Sequence, residues 1–381
     1  MISKRVRDIP FSGIRKFFEL VNQREGIVSL GVGEPDMPTP APLKNAAIQA
    51  IEEDNTSYTS NYGLIELRRL ISQKLASENN INASPEDQVL ITTGTSEALD
   101  LAFRAILEPG DEVLVPEPSY VSYKPNVWFC NCDPVPVPMR EENEFRLTRQ
   151  DIESAITKKT KAIIVASPNN PTGSVLRKKD LEDIADIATE HDLTVISDEL
   201  YEYLIYDKLK HYSIGSFNGM ADRTITINGF SKGMAYTGWR LGYASGSSEV
   251  IEAMMKIHQY TMLCAPTIAQ YAALRSNSVA RYVKQMVNEY DQRRKLIVKG
   301  LNDLPGVECV MPKGAFYAFP NITGSGMSSE EFATTMLDEA LVAVVPGCNF
   351  GDAGEGYVRC SYSVSREVIR EALDRMSSYL S

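Results

Sequence analysis

The segment KAIIVASPNNPTGSVLRKKDLEDIADIATEHDLTVISD, Lys161–Asp198, decides the architecture. Near its two ends, Lys161–Ala166 (KAIIVA) and Thr194–Ser197 (TVIS) are short, β-branched and apolar on both faces, as strands buried inside a parallel sheet are. Between them, Arg177–His191 carries charges on one side and Leu181, Ile184, Ala185, Ile187 and Ala188 on the other, which predicts a covering helix. Strand, helix and strand in that order define a parallel α/β sheet. The pattern extends in both directions. Val89–Thr92 reads as a strand, Ser96–Leu107 as a helix and Glu112–Val115 as a strand. Thr224–Ile227 and Leu241–Ala244 supply two more strands. After about residue 276 the texture changes to a long charged helix, Val279–Leu301, followed by shorter pieces at Gly314–Phe319, Ser328–Ala340, Val342–Val345, Tyr357–Ser361 and Arg366–Leu380. The expectation is a large domain over 41–275 and a small α+β domain over 276–381, with 1–40 as an arm joining the small domain.

Composition narrows the function. The 381 residues are 43% hydrophobic and 23% charged, with a net charge of −11. A net acidic chain argues against nucleic acid as a partner, whose phosphates need clustered Lys and Arg, and against an anionic membrane surface. No apolar run approaches the roughly 18 residues of a membrane span. The basic start leads into no apolar stretch, so no signal peptide is expected. The six cysteines form no CxxC pair or metal-ligand spacing and read as reduced thiols of a cytoplasmic protein. The three histidines, His191, His211 and His258, stand in no zinc pattern. Neither a metal centre nor a Ser-His-Asp hydrolase is expected.

Four motifs sit at strand ends, where open α/β sheets bind ligands. Ser167-Pro-Asn-Asn-Pro-Thr-Gly173 follows the KAIIVA strand and could be no more than a turn. Asn228-Gly-Phe-Ser-Lys-Gly-Met-Ala-Tyr-Thr-Gly-Trp-Arg-Leu-Gly242 places Lys232 among few other charges. A lone lysine is commonly a surface charge, but apolar surroundings lower its pKa and fit it for Schiff-base chemistry. Arg240, eight positions on, could grip a phosphate with its planar fork. Asp198 ends a strand, either as the cap of the next segment or as a carboxylate facing a cationic ring nitrogen. Thr92-Thr-Gly-Thr-Ser-Glu-Ala-Leu99 joins a strand to a helix and suits either a phosphate at the helix N-terminus or plain capping.

Together, from Gly31-Val-Gly-Glu-Pro-Asp36 to Val358-Arg-Cys-Ser-Tyr362, these motifs resemble the class I/II aminotransferases, the fold-type I enzymes of pyridoxal 5'-phosphate. The local texture is most similar to the prokaryotic aromatic and aspartate aminotransferases. The resemblance implies a mostly parallel seven-stranded sheet in the large domain, and transfer of an amino group from an L-amino acid to a 2-oxo acid such as 2-oxoglutarate. It implies that Lys232 holds the cofactor as a Schiff base and shuttles the proton, that Asp198 pairs with the pyridine nitrogen, and that Tyr201 and Asn170 reach the ring hydroxyl. Tyr120 would stack on the ring. Thr95, Ser96, Ser231 and Arg240 would hold the phosphate, although the family's phosphate serine often stands three places before the lysine, where this chain has Gly229. Tyr58 would reach the phosphate of a second subunit in a homodimer. Arg359, with Asn170 and backbone help from Gly33, would bind the substrate carboxylate. One departure bears on specificity. Aspartate enzymes of this branch often carry a lysine where Ser96 stands, which favours an aromatic or broad preference unless Arg15 compensates.

The rivals are a C–S β-lyase or a decarboxylase on the same fold. A nicotinamide site at Gly31-Val-Gly33 lacks the third glycine and the helix. A transcription regulator that binds the same cofactor would need a basic DNA-binding domain, for which residues 1–40 offer no room.

Overall fold

The computed structural model describes residues 24–381 together with 2, 3, 6, 7, 9, 11 and 13. Its centre is a sheet of seven strands: β1 (Val89–Thr92), β2 (Glu112–Glu117), β3 (Asp133–Pro138), β4 (Thr160–Ala166), β5 (Thr194–Asp198), β6 (Thr224–Gly229) and β7 (Gly242–Ser245). Their order across the sheet is β1-β7-β6-β5-β4-β2-β3. Every neighbouring pair is parallel except those made by β7, which runs against both β1 and β6. A parallel return needs a crossover of a dozen or more residues, usually a helix. Between β6 and β7, residues 230–241 hold one short 3₁₀ piece, Thr237–Trp239, and no covering helix, and the chain comes back antiparallel.

Alternation along the strands divides the apolar residues between two faces. Leu114, Ile163, Val165 and Val195 pack on one side against α2 (Lys178–Glu190) through Leu181, Ile184, Ala185, Ile187 and Ala188. Val113, Val115, Ala162, Ile164, Ile196, Ile225 and Ile227 pack on the other against α1 (Thr95–Ile106) through Ala98, Leu99, Ala102 and Phe103. Both faces being covered explains why these strands read as unbroken apolar runs.

Strand β3 is absent from the sequence expectation because its residues, Asp-Pro-Val-Pro-Val-Pro, look like a strand breaker. The structure gives the reason it is tolerated. Strand β3 is an edge strand paired only with β2. Asp133 N donates to Asp111 O at 2.9 Å and Met139 N to Glu117 O at 2.7 Å, so the odd-numbered residues face the partner. Pro134, Pro136 and Pro138 therefore turn their missing donors to the free edge, where they block pairing with another chain.

A separate core gathers α3 (Ala280–Asn302), α4 (Ser329–Asp338) and α5 (Arg366–Leu380) around Phe316, Tyr317, Phe332 and Tyr362. Strands β8 (Tyr317–Ala318), β9 (Val345–Pro346) and β10 (Val358–Ser361) form an antiparallel sheet there, with β10 in the middle. Val28–Ser29 pairs in parallel with Val342–Ala343 and joins the same core. Among the described residues, no helix is long and apolar enough to cross a membrane.

Candidate active site

Five segments leaving the same end of the sheet, among them the one carrying Tyr120 and Tyr123, open into one cavity of about 690 Å³, a size ordinary for a small-molecule site. Residues from Val32–Glu34, α1, the Ser167–Gly173 loop, β5, the Lys232 turn and β10 line it. Thr95, Ser96, Tyr120, Asn170, Asp198, Tyr201, Ser231, Lys232, Arg240, Gly33 and Arg359 all reach its wall. Tyr58 does not. It is 81% exposed, on a segment outside this chain's own cavity. Arg15 lies outside the described residues.

Asp198 closes the floor. Its Oδ1 accepts from Leu200 N at 3.2 Å, as a local cap does, and its Oδ2 accepts from the Tyr123 hydroxyl at 2.8 Å. Burial raises the carboxyl above its ordinary range, against the pull of those two donors and of Lys232. Among the described residues Asp198 joins no ion pair. A carboxylate of this kind is satisfied by a cation arriving from the cavity. Behind it, buried Glu199 accepts from Ser213 Oγ at 2.6 Å and contacts His211 Nε2 at 2.9 Å. Glu199, Glu202 and His211 could be mistaken for a metal site. Lys74 Nζ, however, lies 2.5 Å from both Glu202 carboxylate oxygens and already supplies the cation.

Lys232 Nζ enters from the turn after β6 and donates to Gly33 O at 2.6 Å. Burial pushes the ammonium down to about 8, opposed by Glu34 and assisted by Arg359 and Arg240. The amine is a nucleophile only when neutral. Covalent capture of added pyridoxal phosphate by cofactor-free protein is therefore expected to accelerate with pH and level off above about 8, gaining roughly tenfold between pH 7 and 9. A rate climbing without a plateau to pH 10 would mean an unperturbed lysine. Stopped-flow absorbance follows it directly.

At the other end, Gly94 adopts φ +79° and precedes α1, which has no side-chain cap. The uncapped first turn and the helix dipole favour an anion. Arg240, itself left-handed at φ 54°, lays its guanidinium against Gly94. A Cβ on Gly94 would fall 2.6 Å from Arg240 Nη2, and one on Gly242 would fall 2.7 Å from Thr95 N, so the cradle admits only glycine at both places. A Cβ at Gly229 would meet Gly242 Cα at 3.1 Å and Thr95 Cγ2 at 3.2 Å. A side chain there would be tightly packed, and Ser231 lies on the cavity wall. Glu97 Oε2 accepts from Thr93 N, and Glu97 Oε1 meets buried His258 Nδ1 at 2.6 Å, which steadies the loop from behind.

Arg359 is buried and sandwiched between the rings of Tyr317 and Phe350, with its guanidinium carbon 4.5 and 5.0 Å from their centroids. Its Nη1 donates to Asn170 Oδ1 at 3.0 Å and its Nη2 to Gly31 O at 2.8 Å, while Nε has no hydrogen-bond partner. Tyr201 and Tyr317 share a hydroxyl–hydroxyl hydrogen bond of 2.9 Å. A Cβ on Gly33 would stand 2.8 Å from the Tyr317 hydroxyl.

Tyr123 and Tyr317 escape a reading of the sequence. Tyr123 follows Tyr120 by three residues at the start of a short helix, and that spacing is the only available signal. Tyr317 is positioned by the pairing of Ser361 with Tyr317, which no local pattern encodes.

A cavity holding a desolvated carboxylate, a neutralisable lysine and an arginine-backed helix terminus fits the ring nitrogen, aldehyde and phosphate of pyridoxal phosphate. It is the site of a fold-type I enzyme of that cofactor. The family profile "Aminotransferase class I and II" matches residues 25–376. The chain is 50% identical over 382 residues to an aspartate aminotransferase of Pyrococcus abyssi, covering 100% of this chain and 98% of that one. It is 48% identical to aromatic-amino-acid aminotransferase 2 of Thermococcus litoralis, with the same coverage. The crystal structure of an aromatic aminotransferase from Pyrococcus horikoshii superposes with a TM-score of 0.92 at 48% identity, covering 96% of this chain and 98% of that one. The protein belongs to the class I and II aminotransferase family. It is a transaminase that uses pyridoxal phosphate, and the β-lyase and decarboxylase readings are not favoured.

Proposed function

We propose that the enzyme moves the amino group of an aromatic L-amino acid to 2-oxoglutarate, tolerating aspartate less well. The observation that carries this is the charge on the cavity wall. Its cations are Lys232, Arg240 and Arg359, and Ser96, which the resemblance sets where aspartate enzymes often carry a lysine, brings no charge to the wall. The remaining wall offers neutral donors and the Glu34 carboxylate, whose Oε2 accepts from Thr237 Oγ1 at 3.1 Å. A second carboxylate, on aspartate or on 2-oxoglutarate, therefore has only neutral donors to meet on the described wall, which weakens dicarboxylate binding without excluding the 2-oxoglutarate acceptor, whereas an aromatic side chain has Tyr120, Val121 and Leu200 to pack against. The names of the relatives include both donors, and the charge on the wall supports the aromatic one. In a panel of amino donors with 2-oxoglutarate, kcat/KM for phenylalanine or tyrosine is expected to exceed that for aspartate by about tenfold, a difference near 1.4 kcal/mol. Aspartate turning over faster than both aromatics would overturn the assignment.

In this proposal Arg359 takes the α-carboxylate, oriented by Asn170 Oδ1. Lys232 Nζ accepts the proton from the substrate Cα and returns it during transfer, since its amine is close to half-neutral near pH 8. The cofactor, when bound, supplies the electron sink for that step. Asp198 holds the positive charge on the ring nitrogen, the Tyr201 hydroxyl meets the ring hydroxyl, Tyr120 covers a ring face, and Thr95, Ser96, Ser231 and Arg240 hold the phosphate. Gly33, without a side chain, leaves its backbone open to the substrate. The division into 1–40, 41–275 and 276–381 is supported by a core drawn mainly from residues after 276 and joined by Val28 and Leu30.

A homodimer is part of the same proposal. Asn61 Nδ2 donates to Leu263 O at 2.7 Å and Thr267 Oγ1 to Ser57 O at 2.8 Å, which brings exposed Tyr58 beside a stretch with exposed Tyr260 and Met262. Such a patch suits a second copy, with each Tyr58 reaching the other chain's phosphate about a two-fold axis. Mixed under exchange, Tyr58→Phe and Lys232→Ala chains form heterodimers with one intact site, so part of the wild-type cofactor affinity should return. No recovery after proven exchange would contradict shared sites. The buried Cys132, Cys309 and Cys360, present as thiols, support a reducing, cytoplasmic setting.

A further inference from the structure

A second cavity, of about 530 Å³, is lined by Thr172 of the Ser167–Gly173 loop and shares no lining residue with the cavity around Lys232. Its floor is apolar: Phe145, Val175, Leu176, Pro312 and Phe319, all buried. Ser174 is buried in the same floor, and its hydroxyl has no hydrogen-bond partner. Arg146 also lines the cavity, and its Nε likewise has none. The rim is cationic. Arg177, Lys178, Lys208, Lys210 and Lys313 stand around the opening with Arg146, against only Glu144 and Asp207. This local excess of positive charge occurs on a chain whose net charge is −11.

Some of these cations are already spoken for. Arg177 Nη2 lies 2.6 Å from Glu144, Arg146 Nη1 2.6 Å from Asp180 and its Nε 3.6 Å from Glu144, Lys178 Nζ 3.4 Å from Glu182, and Lys313 Nζ 3.0 Å from Asp207. Lys208 and Lys210 make no ion pair among the described residues. They flank exposed Leu209 and are followed by exposed Tyr212, so the Asp207–Tyr212 segment presents two unpaired ammonium groups and two apolar side chains at the mouth. A concave apolar floor with a few polar groups and a charged mouth is the ordinary make-up of a small-molecule site. The charge selects an anion and the floor selects an apolar body. A bare inorganic anion would leave the floor wet, and a neutral hydrocarbon would leave the lysines unanswered.

We propose that this cavity binds a small organic carboxylate with an apolar body, independently of the active site. The probe is 3-phenylpropionate, titrated calorimetrically into the holoenzyme. Two binding events per chain are expected, one displaced by an amino donor and one not. In Lys208→Glu/Lys210→Glu the second event should weaken at least tenfold, about 1.4 kcal/mol, while the first event and kcat/KM stay unchanged. Both residues are exposed, so the fold is not at stake. Acetate, which carries the charge without the apolar body, should compete for the second event at least about tenfold more weakly. A single event displaced by donor, a second event indifferent to the lysines, or acetate binding as tightly as phenylpropionate would each overturn the proposal.

Discussion

Replacing Lys232 with alanine is expected to reduce kcat by about 10³-fold or more, while the protein still folds and purifies at normal yield. The expectation follows from what the side chain loses. Its amine is the buried nucleophile and the group that moves the substrate proton, and general acid–base transfer alone is worth about 10²–10⁴ in rate. The fold should survive because the Lys232 side chain makes one hydrogen bond, to Gly33 O, and removing a buried ammonium relieves its desolvation. Near-visible absorbance of the purified protein should fall together with kcat. Circular dichroism unchanged with kcat unchanged would remove Lys232 from the chemistry.

Asp198→Asn should also fold, because the Tyr123 hydroxyl can still donate to the amide oxygen in the geometry it now has at 2.8 Å. The neutral amide no longer balances a positive ring nitrogen at the bottom of a desolvated site. Electrostatic support of this kind is commonly worth about 10²–10³ in kcat, and a loss on that order is expected, with KM for the amino donor changed much less. The kcat-against-KM split separates this from general damage to the site. Tyr123→Phe keeps the charge and removes only the donor to Asp198, so its loss should be smaller. Asp198→Asn with near-normal kcat would mean that the carboxylate merely caps Leu200.

The sheet was legible in the sequence because its central strands are covered on both faces, and unbroken runs such as KAIIVA have no other economical explanation. The site followed from the same logic: Asp198, Lys232, the Ser167–Gly173 loop and the Thr92–Leu99 turn all stand at strand ends, so the topology brings them to one place. Edge strand β3 was not legible, since three prolines are a breaker signal unless the strand's neighbours are known. Tyr123 and Tyr317 were not legible either, because a tyrosine gains a role only through the carboxylate or hydroxyl it touches, at 2.8 and 2.9 Å here. Tyr58 marks a different limit. Its exposure on the single chain is what a loop tyrosine would show, and only the second copy distinguishes the two cases. Gly229 was visible in the sequence, but the close approach of Gly242 and Thr95 to it lies in the packing.

The central claim is that transamination runs on a cofactor bound through Lys232. Borohydride reduction of the holoenzyme, followed by peptide mass mapping, tests it most directly. The account predicts a single phosphopyridoxyl increment, located on Lys232 and absent from protein first converted by excess amino donor without acceptor. An increment on another lysine, or none on protein that is fully active, would contradict it.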